Sequence, residues 1–546
     1  MLHPLFPMSS ARSHGVKYLL MVMAVSLFPA FALAAGRGVY NVDDYGAAGD
    51  GVTLDTRAIQ AAIDKCSEKG GAVIFTSGTY LTGSLYLRSN VTIYIDRGAT
   101  ILGSGNLKDY RAYTPRLKSL NDSFLRYSLF YAEGEKNISI EGDGTIDGQG
   151  QLFKVTTKEK PQRYRNRPFI IRFVQCSNVK VEGVTLRNSA MWMQQYLACD
   201  DLTVKGITVF NHANQNNDMI DIDGCNNVLM SGCRGDTDDD GIVLKSTSRY
   251  TDRNITITNC VVSSHCNAVK FGTESVAGFN NVNISNIVVK PSVVRSVIFG
   301  YPDGISGITL AEVDGGTLHN INISDIVMDG PQVPIFLRLG DMHRTYDKDE
   351  HLPGIGVLKN VSISNVVADD VKSIGCAIVG LAGHPVEGIS LSNIRINFAG
   401  GVKKGEVGSS PEELSAHYPE STMWGKLPAY GFFVWHAKDI SLNNVELRFK
   451  KDDSRPAVYC DDVEGLTVDG LRADVSDTAD GLITLVNAQD VVIRNSEPLG
   501  RTENFLYLNG RVSGIDLIGN DLRRVRNLSA PTDYPGVNAA GNLTGR

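Results

Sequence analysis

The feature that most constrains this chain is a short motif that recurs at intervals of roughly 23–27 residues, a period typical of solenoids. The motif is Asn/Asp-Val/Ile-x-Val/Ile-x-Gly/Asn-Val/Ile-x-apolar, and copies begin at Asn178, Asp201, Asn227, Asn254, Asn281, Asn320, Asn360, Gly388, Asp439, Gly465 and Asp490. Each copy alternates apolar and polar residues, turns at Gly or Asn, and starts another short strand. β-Branched residues fill the apolar positions, which favours strands over helices.

Tandem short strands at a fixed spacing predict an all-β fold, namely a right-handed single-stranded parallel β-helix from about residue 40 to about residue 525. A β-sandwich is the alternative, but its strands would not align from one repeat to the next. The Asn before Val is placed for a ladder of side-chain amides at a turn. One helix is expected over Asp55–Lys65, where it would cover the open first coil.

The N-terminus has the pattern of a secretory signal peptide. Basic residues precede an apolar run, Tyr18–Leu33, and a small-x-small cleavage pattern ends at Ala34. We predict a signal peptide over residues 1–35, one β-helix domain over 36–546, and a secreted or periplasmic location. A membrane anchor is the alternative, but the run is shorter than the ~20 residues that a span needs. No membrane association is expected once the signal is removed.

The nine cysteines follow the repeat rather than the spacing of a metal site. Cys176, Cys199 and Cys225 share one repeat position, and a second position is filled in successive copies by Cys233, Cys260, Ile287, Ile326 and Val366. Cysteine that alternates with aliphatic residues behaves as a small buried hydrophobe. We therefore expect buried thiols, with one disulfide as the alternative that an exported protein leaves open.

Carboxylates enter two strands that lie one repeat apart, in Asn216–Asp223 and Asp238–Ser246. Successive coils of a β-solenoid stack about 4.8 Å apart. Asp218 and Asp240 would then occupy equivalent places on neighbouring coils, with Asp239 beside them. Three carboxylates on one face are costly unless something uses them, so this face is the predicted functional site.

Four polar stretches interrupt the repeat, at about residues 105–128, 151–167, 341–356 and 399–430. Insertions of this kind form loops on a rigid scaffold, where binding residues tend to lie. Plain surface decoration is the alternative for any one of them.

Several motifs together resemble glycoside hydrolase family 28, the polygalacturonase and rhamnogalacturonase family. They are Val39–Gly51 with the helix that follows it, Gly144–Gly150 and Leu186–Ser189, and the similarity extends over residues 39–330. Tyr418-Pro419 and Leu427–Phe432 are similar to a divergent bacterial branch. The resemblance implies a pectin-lyase-like solenoid and a glycoside hydrolase that cleaves α-glycosidic bonds in pectic polysaccharide with inversion.

The family's Asn-Thr-Asp motif matches Asn216-Asn217-Asp218, and its Gly-Asp-Asp motif matches Asp238-Asp239-Asp240. The resemblance implies that Asp239 is the general acid and that Asp218 and Asp240 hold and activate water. The chemistry agrees, because inverting hydrolysis needs an acid on one side of the bond and a base with room for water on the other. No metal and no cofactor are expected.

The expected partner is a polysaccharide or oligosaccharide substrate. A net charge of −7 and a pI near 5.9 give the chain no basic surface for nucleic acid. We expect a monomer.

Two family motifs are missing. Gly-His-Gly would fall at Cys266-Asn267-Ala268, so Asn267 replaces its histidine, and His265 lies two residues earlier. Arg-Ile-Lys would fall near Ile298-Phe299-Gly300, where neither base is present. In polygalacturonases these side chains hold the galacturonate carboxylate. Their absence predicts a rhamnogalacturonan-type or branched substrate in preference to plain polygalacturonan.

Alignment of the repeats suggests replacements for those contacts. It places Asp218, Asp240, Asn267 and Arg295 in one column, Asp221, Val243 and Lys270 in the next, and Asp223 beside Lys245. Positive charge from lysine or arginine could bind an acidic sugar, although Lys245 could equally neutralise the aspartates, and His265 could be a turn residue. The predicted substrate-binding residues are Lys245, His265, Asn267, Lys270 and Arg295.

Trp192, Trp424 and Tyr430 could stack on sugar rings or could serve packing alone. The insertions at 341–356 and 399–430 could wall off one end of the groove, which would favour removal of terminal units over internal cleavage. A long open groove is the alternative.

Two other functions fit the same scaffold. A polysaccharide lyase would need Ca²⁺ at the carboxylates and a basic residue such as Lys270 or Arg295. A non-catalytic carbohydrate-binding β-helix would explain the missing motifs and would bind oligosaccharide without cleaving it.

Overall fold

The computed structural model describes residues 38–347, 349, 354–408, 410–532, 534 and 536–545. The predicted signal peptide and its cleavage pattern lie outside the described residues. Among the helices that are described, none has the length and apolar character that crossing a membrane requires.

The chain is mostly parallel β-sheet, with 55% of its residues in strands and 5% in helices. The first half contains β1 (Gly38–Asn41), β2 (Asp50–Leu54), β3 (Gly71–Thr82), β4 (Leu85–Tyr86), β5 (Val91–Gly103), β6 (Ser128–Glu133), β7 (Lys136–Gly142), β8 (Thr145–Asp147), β9 (Phe169–Val174), β10 (Ser177–Glu182), β11 (Thr185–Arg187), β12 (Gln194–Leu197), β13 (Asp200–Lys205), β14 (Thr208–Asn211), β15 (Ile220–Asp223), β16 (Asn226–Ser231), β17 (Arg234–Thr237), β18 (Ile242–Ser246), β19 (Asp252–Ser264) and β20 (Asn267–Ser275). The second half contains β21 (Gly278–Val289), β22 (Ser306–Glu312), β23 (Thr317–Asp329), β24 (Val333–Leu339), β25 (Val357–Val371), β26 (Cys376–Val379), β27 (Val386–Gly400), β28 (Phe432–Lys451), β29 (Val458–Asp469), β30 (Arg472–Ala473), β31 (Ile483–Arg494), β32 (Glu497–Pro498), β33 (Thr502–Asn509), β34 (Ser513–Ile518), β35 (Asp521–Leu522), β36 (Val525–Ala530), β37 (Val537–Ala540) and β38 (Leu543–Thr544).

Each strand pairs in parallel with a strand of the next coil, so the chain winds as a right-handed parallel β-helix. One long sheet runs through β12, β15, β18, β20, β22 and β24, and we call it the site sheet. Its register aligns Asp221 with Val243 and Val243 with Lys270, as the sequence predicted. It also places Asp223 beside Lys245.

Side chains that point inward stack into continuous columns. Cys233, Cys260, Ile287, Ile326 and Val366 lie in one column, as predicted, and all are buried. All nine cysteines are free and buried, so the thiol interpretation is confirmed and the disulfide alternative is not. At the turns, Asn178 donates to Asn137 and Asn137 donates to Asn90, which is the predicted amide ladder. These turn residues have positive φ, a conformation that Asn tolerates.

The predicted helix is present as α1 (Thr56–Ser67). It buries Ile59, Ala62, Ile63 and Cys66 against the first coils. Short 3₁₀ helices lie at Val42–Tyr45, Leu107–Asp109, Gly150–Leu152 and Gln162–Tyr164.

The solenoid continues past residue 525, and the predicted end is therefore wrong. Strands β36 to β38 add further pairings, and Val537 lies opposite Ile515. Most side chains of β37 are exposed, so the alternation of apolar and polar residues fades there and the sequence pattern loses its signal.

The four insertions emerge between strands of the solenoid. They join β5 to β6, β8 to β9, β24 to β25 and β27 to β28. A salt bridge of 2.7 Å between Lys118 and Asp347 connects the first insertion to the third. A backbone hydrogen bond from Asp341 N to Ser415 O connects the third to the fourth at 2.8 Å.

Candidate active site

The three aspartates converge because two neighbouring coils turn in the same way before entering the site sheet. Asp218 precedes β15, whereas Asp239 and Asp240 precede β18. The backbone fixes the relation, since Met219 N donates to Asp240 O at 3.0 Å. Ser264 Oγ and Thr237 Oγ1 donate to Asp239 O at 2.6 and 2.9 Å and hold the turn.

Asp239 is set up to carry a proton. Its side chain is 7% exposed and lines the cavity described below. Burial, followed by the neighbouring charge of Asp240, raises the pKa of Asp239 to about 6. Oδ1 accepts from Asp240 N at 2.9 Å, and Oδ2 accepts a long hydrogen bond of 3.4 Å from Asn216 Nδ2. Oδ2 is therefore the oxygen less committed to the protein.

Asp240 has the opposite environment. Burial would raise its pKa, but the charges of Lys270 and Lys245 outweigh burial and hold the pKa below its ordinary value. Lys270 Nζ lies 2.8 Å from Oδ2. Asn267 donates to Oδ1 from its side chain at 2.6 Å and from its backbone at 3.1 Å. Hydrogen bonds to the charged form stabilise it, so Asp240 ionises first, whereas Asp239 keeps its proton up to about pH 6.

Asp218 and Asp221 add two more buried carboxyls to the cluster. Burial, followed by the charges of neighbouring carboxylates, raises the pKa of Asp218 well above its usual range. Its Oδ1 has no hydrogen-bond partner within the described residues. Asp221 is completely buried, and burial likewise raises its pKa although Lys245 lies 3.6 Å away.

Asp218, Asp239 and Asp240 lie on the wall of a cavity of about 750 Å³, and Asp221 lies behind that wall. All four insertions contribute to its walls, through segments 120–125, 160–164, 342–345 and 418–420. The insertions at 341–356 and 399–430, which the sequence suggested could wall off one end of the groove, thus line the cavity together with the other two. Trp192 lines the cavity, whereas Tyr430 is buried and Trp424 packs against Phe336 and Arg338.

Lys245 is the one predicted substrate-binding residue that lines this cavity among the described residues. Its ammonium lies 3.1 Å from Glu274 and 4.7 Å from the centre of the Trp192 ring. Glu274 in turn binds Arg344 of the third insertion at 3.2 Å. Lys245 therefore neutralises buried carboxylates and holds an insertion in place, which is the alternative that the sequence left open.

The structure places the other four predicted substrate-binding residues away from the cavity surface. Lys270 and Asn267 lie behind Asp240 and bind it rather than a ligand. His265 is completely buried, with Nδ1 3.0 Å from Asp238 Oδ1 and Nε2 3.0 Å from Val294 O. In this structure these three residues direct their polar atoms to protein groups rather than into the cavity.

The predicted column position of Arg295 is also wrong. Asn267 aligns with Ser306 on the next coil, not with Arg295. Residues 290–305 form a loop between β21 and β22, and counting a fixed repeat through that loop misplaces the residue. The Arg295 side chain is 68% exposed, with Asp303 at 3.8 Å.

Two further site residues come from the insertions and have no signal in the repeat. Glu420 lines the cavity, and burial raises its pKa to about 7 despite the opposing charge of Lys270. Tyr418 Oη lies 3.1 Å from Lys270 Nζ. The Tyr418-Pro419 motif was visible in the sequence, but its position over the aspartates depends on how the insertion folds back.

Two clusters among the described residues bring potential metal-binding atoms within 4.8 Å of one another: His212, Asp238 and His265, and Asp239, Asp240 and Cys266. In the first, Asp238 also accepts from the backbone N–H groups of Ile298 and Phe299. In the second, Lys270 and Asn267 already bind Asp240. Protein hydrogen bonds account for both clusters, and we assign a metal to neither.

The fold and the crowded carboxylates define a β-helical enzyme of the glycosidase class, in which one carboxyl has a raised pKa and its neighbour a lowered one. Comparison with known proteins agrees. Residues 95–415 match the family profile described as glycosyl hydrolases family 28. A probable polygalacturonase from Vitis vinifera is 26% identical over 383 residues, which cover 66% of this chain and 74% of that protein.

A shorter match is closer in sequence. An exo-poly-α-D-galacturonosidase from Dickeya chrysanthemi is 37% identical over 161 residues, 28% of this chain and 25% of that protein. Among solved structures, a hyperthermoactive exopolygalacturonase from Thermotoga maritima shares the fold with a TM-score of 0.55 at 24% identity, covering 66% of this chain and 87% of that one. The chain belongs to glycosyl hydrolases family 28 and is a glycoside hydrolase of polygalacturonase type.

Proposed function

We propose that the protein removes a terminal galacturonic acid-containing unit from pectic oligosaccharides by inverting hydrolysis. Asp239 donates a proton to the glycosidic oxygen as the bond breaks, and Asp240 accepts a proton from the attacking water. The observation that carries this assignment is the opposite ionisation of two adjacent aspartates. Asp239 has a pKa raised to about 6, whereas Lys270 and Asn267 hold Asp240 ionised.

Asp218 completes the arrangement as a second group that holds the water. Its unpartnered Oδ1 can hydrogen-bond to a ligand without displacing a protein contact. Because its pKa is raised, Asp218 can donate this hydrogen bond while Asp240 removes the proton. Lys270, Asn267 and His265 act as positioning residues that support the aspartates.

The shape of the cavity supports cleavage at a chain end. Residues of four insertions line it, and the contacts Lys118–Asp347 and Asp341–Ser415 connect three of these insertions. A pocket of this kind admits a terminal unit more readily than the middle of a long polymer. This favours exo action over endo action.

The lining supports a rhamnogalacturonan-type or branched substrate in preference to plain polygalacturonan. Phe299 occupies the region where family members have basic residues, and Met191 and Trp192 add further apolar surface. Apolar walls suit the methyl group of a 6-deoxy sugar better than a run of carboxylates.

We further propose that residues 36–546 form the glycosidase domain and that residues 1–35 are removed on export. N-terminal sequencing of protein recovered outside the cytoplasm tests this. A mature chain that begins within the first 35 residues contradicts the proposed boundary.

A product assay across purified pectic polysaccharides and oligosaccharides tests the activity. We expect monosaccharide or short products from chain ends, and NMR should show the β-anomer first from an α-linkage. An unsaturated product that disappears with chelator would indicate a lyase. Binding without cleavage would indicate a non-catalytic protein, and rapid internal depolymerisation of unbranched polygalacturonan would refute the substrate preference.

A further inference from the structure

We propose that Lys160 and Arg163, on the insertion between β8 and β9, bind the carboxylate of the uronic acid unit. The inference rests on the proposed function and gives this chain its own replacement for the family's missing basic residues. Both side chains line the cavity that holds Asp218, Asp239 and Asp240.

These two cations differ from Lys245, Lys270 and Arg344 in having no carboxylate partner within the described residues. Lys270 is paired with Asp240, Lys245 with Glu274, and Arg344 with Asp314 at 2.6 Å. Neither Lys160 nor Arg163 forms a salt bridge with any residue that the structure describes. The positive charge that remains for a ligand is therefore concentrated on this insertion.

The guanidinium of Arg163 contains a hydrogen-bond donor that lacks an acceptor. Its Nε is buried and has no hydrogen-bond partner within the described chain. Its guanidinium lies 4.9 Å from the centre of the Tyr164 ring, which orients the group without neutralising it. A buried donor without an acceptor is costly, and a planar guanidinium matches the geometry of a carboxylate.

Lys160 lines the cavity with Arg163, and its side chain is exposed. Partial desolvation, followed by the charge of Arg163, lowers the pKa of Lys160. Its ammonium lies 5.7 Å from the centre of the Tyr418 ring on the fourth insertion. Glu274, Arg344 and Asp239 also act on it through their charges. An exposed lysine alone would mean little, but two like charges facing one cavity favour an anionic ligand.

The insertion is anchored to the catalytic coil, so these cations have a fixed position. Arg167 Nε donates to Arg163 O at 3.1 Å. Its two terminal nitrogens donate to Gln215 O at 2.6 Å and to Asn216 Oδ1 at 3.0 Å. Asn216 lies two residues before Asp218, and this connection ties the proposed carboxylate site to the reacting groups.

Binding to an inactive variant tests the proposal separately from turnover. In an Asp239→Asn background, digalacturonic acid and its carboxyl-reduced disaccharide would be titrated by calorimetry. We expect a preference for the acid that Lys160→Gln and Arg163→Gln each reduce about 10- to 100-fold, as loss of a charged hydrogen bond implies. Binding of the reduced sugar should change little. Arg165→Gln is the matched control, because Arg165 is exposed on the same insertion and does not line the cavity.

Charge-conserving variants guard against a folding artefact. Lys160→Arg and Arg163→Lys should keep most of the preference, and thermal unfolding should match the parent protein. An unchanged acid preference in both glutamine variants overturns the proposal, as does equal binding of acid and reduced sugar by the parent. If the parent prefers the acid and the glutamine variants lose that preference, but the wild type cleaves no substrate, the proposed hydrolysis is refuted and the binding site stands.

Discussion

Removal of the Lys270 ammonium tests the electrostatic basis of the site most directly. Lys270 and Asp240 are both almost fully buried, with 2.8 Å between Nζ and Oδ2. An opposite charge at this range lowers a carboxyl pKa by about 1–3 units, and each unit corresponds to about 1.4 kcal/mol. Lys270→Met should therefore move the acid limb of the kcat/KM profile up by about 1–3 pH units.

The same substitution should cost stability at neutral pH. A buried carboxylate left without its partner destabilises a protein by about 3–5 kcal/mol. Because the pKa of Asp240 is lowered in the folded protein, the stabilising effect is present above the ordinary carboxyl pKa. It is lost as the pH falls through the lowered value. The difference in unfolding free energy between wild type and variant should thus narrow in acid.

Urea unfolding at neutral and acid pH measures this effect, and a double-mutant cycle isolates the pair. Asp240→Asn combined with Lys270→Met should be less destabilising than the sum of the two single changes. Lys69→Met is the control, since Lys69 is exposed beyond the end of α1. Additive effects in the cycle, together with an unmoved acid limb, would refute the reasoning.

Three further predictions follow from the same geometry. Asp239→Asn should lower kcat by about 10²- to 10⁴-fold with unchanged thermal unfolding, because an amide cannot donate the proton; wild-type turnover in a reducing-sugar assay would remove Asp239 from the role. Activity should fall as the pH rises above about 6, where Asp239 loses its proton, and a kcat/KM profile flat through that range would contradict this. Asn267→Ala should cost about 1–3 kcal/mol in urea unfolding and raise the acid limb, because Asp240 Oδ1 loses its 2.6 Å side-chain donor; an unchanged midpoint and limb would show that water replaces the amide.

The repeat determined the fold because a solenoid is local in sequence. Each coil packs on the next, so strand type, column position and coil register follow from neighbouring copies. The column Cys233, Cys260, Ile287 and the amide ladder were predictable for this reason. The pairing of Asp221 with Val243 on the site sheet was predictable in the same way.

The tertiary structure decided what surrounds the aspartates, because insertions break the register that makes a solenoid predictable. Counting a fixed repeat aligns Arg295 with Asn267. The loop at 290–305 adds residues between the two coils, so Ser306 is the residue opposite Asn267. The predicted strand position of Lys270 was correct, but its role depended on burial. Its ammonium forms a buried salt bridge with Asp240 and does not face the cavity. The sequence could not show that Lys160 and Glu420, far apart along the chain, line one cavity, since loop contacts bring them together.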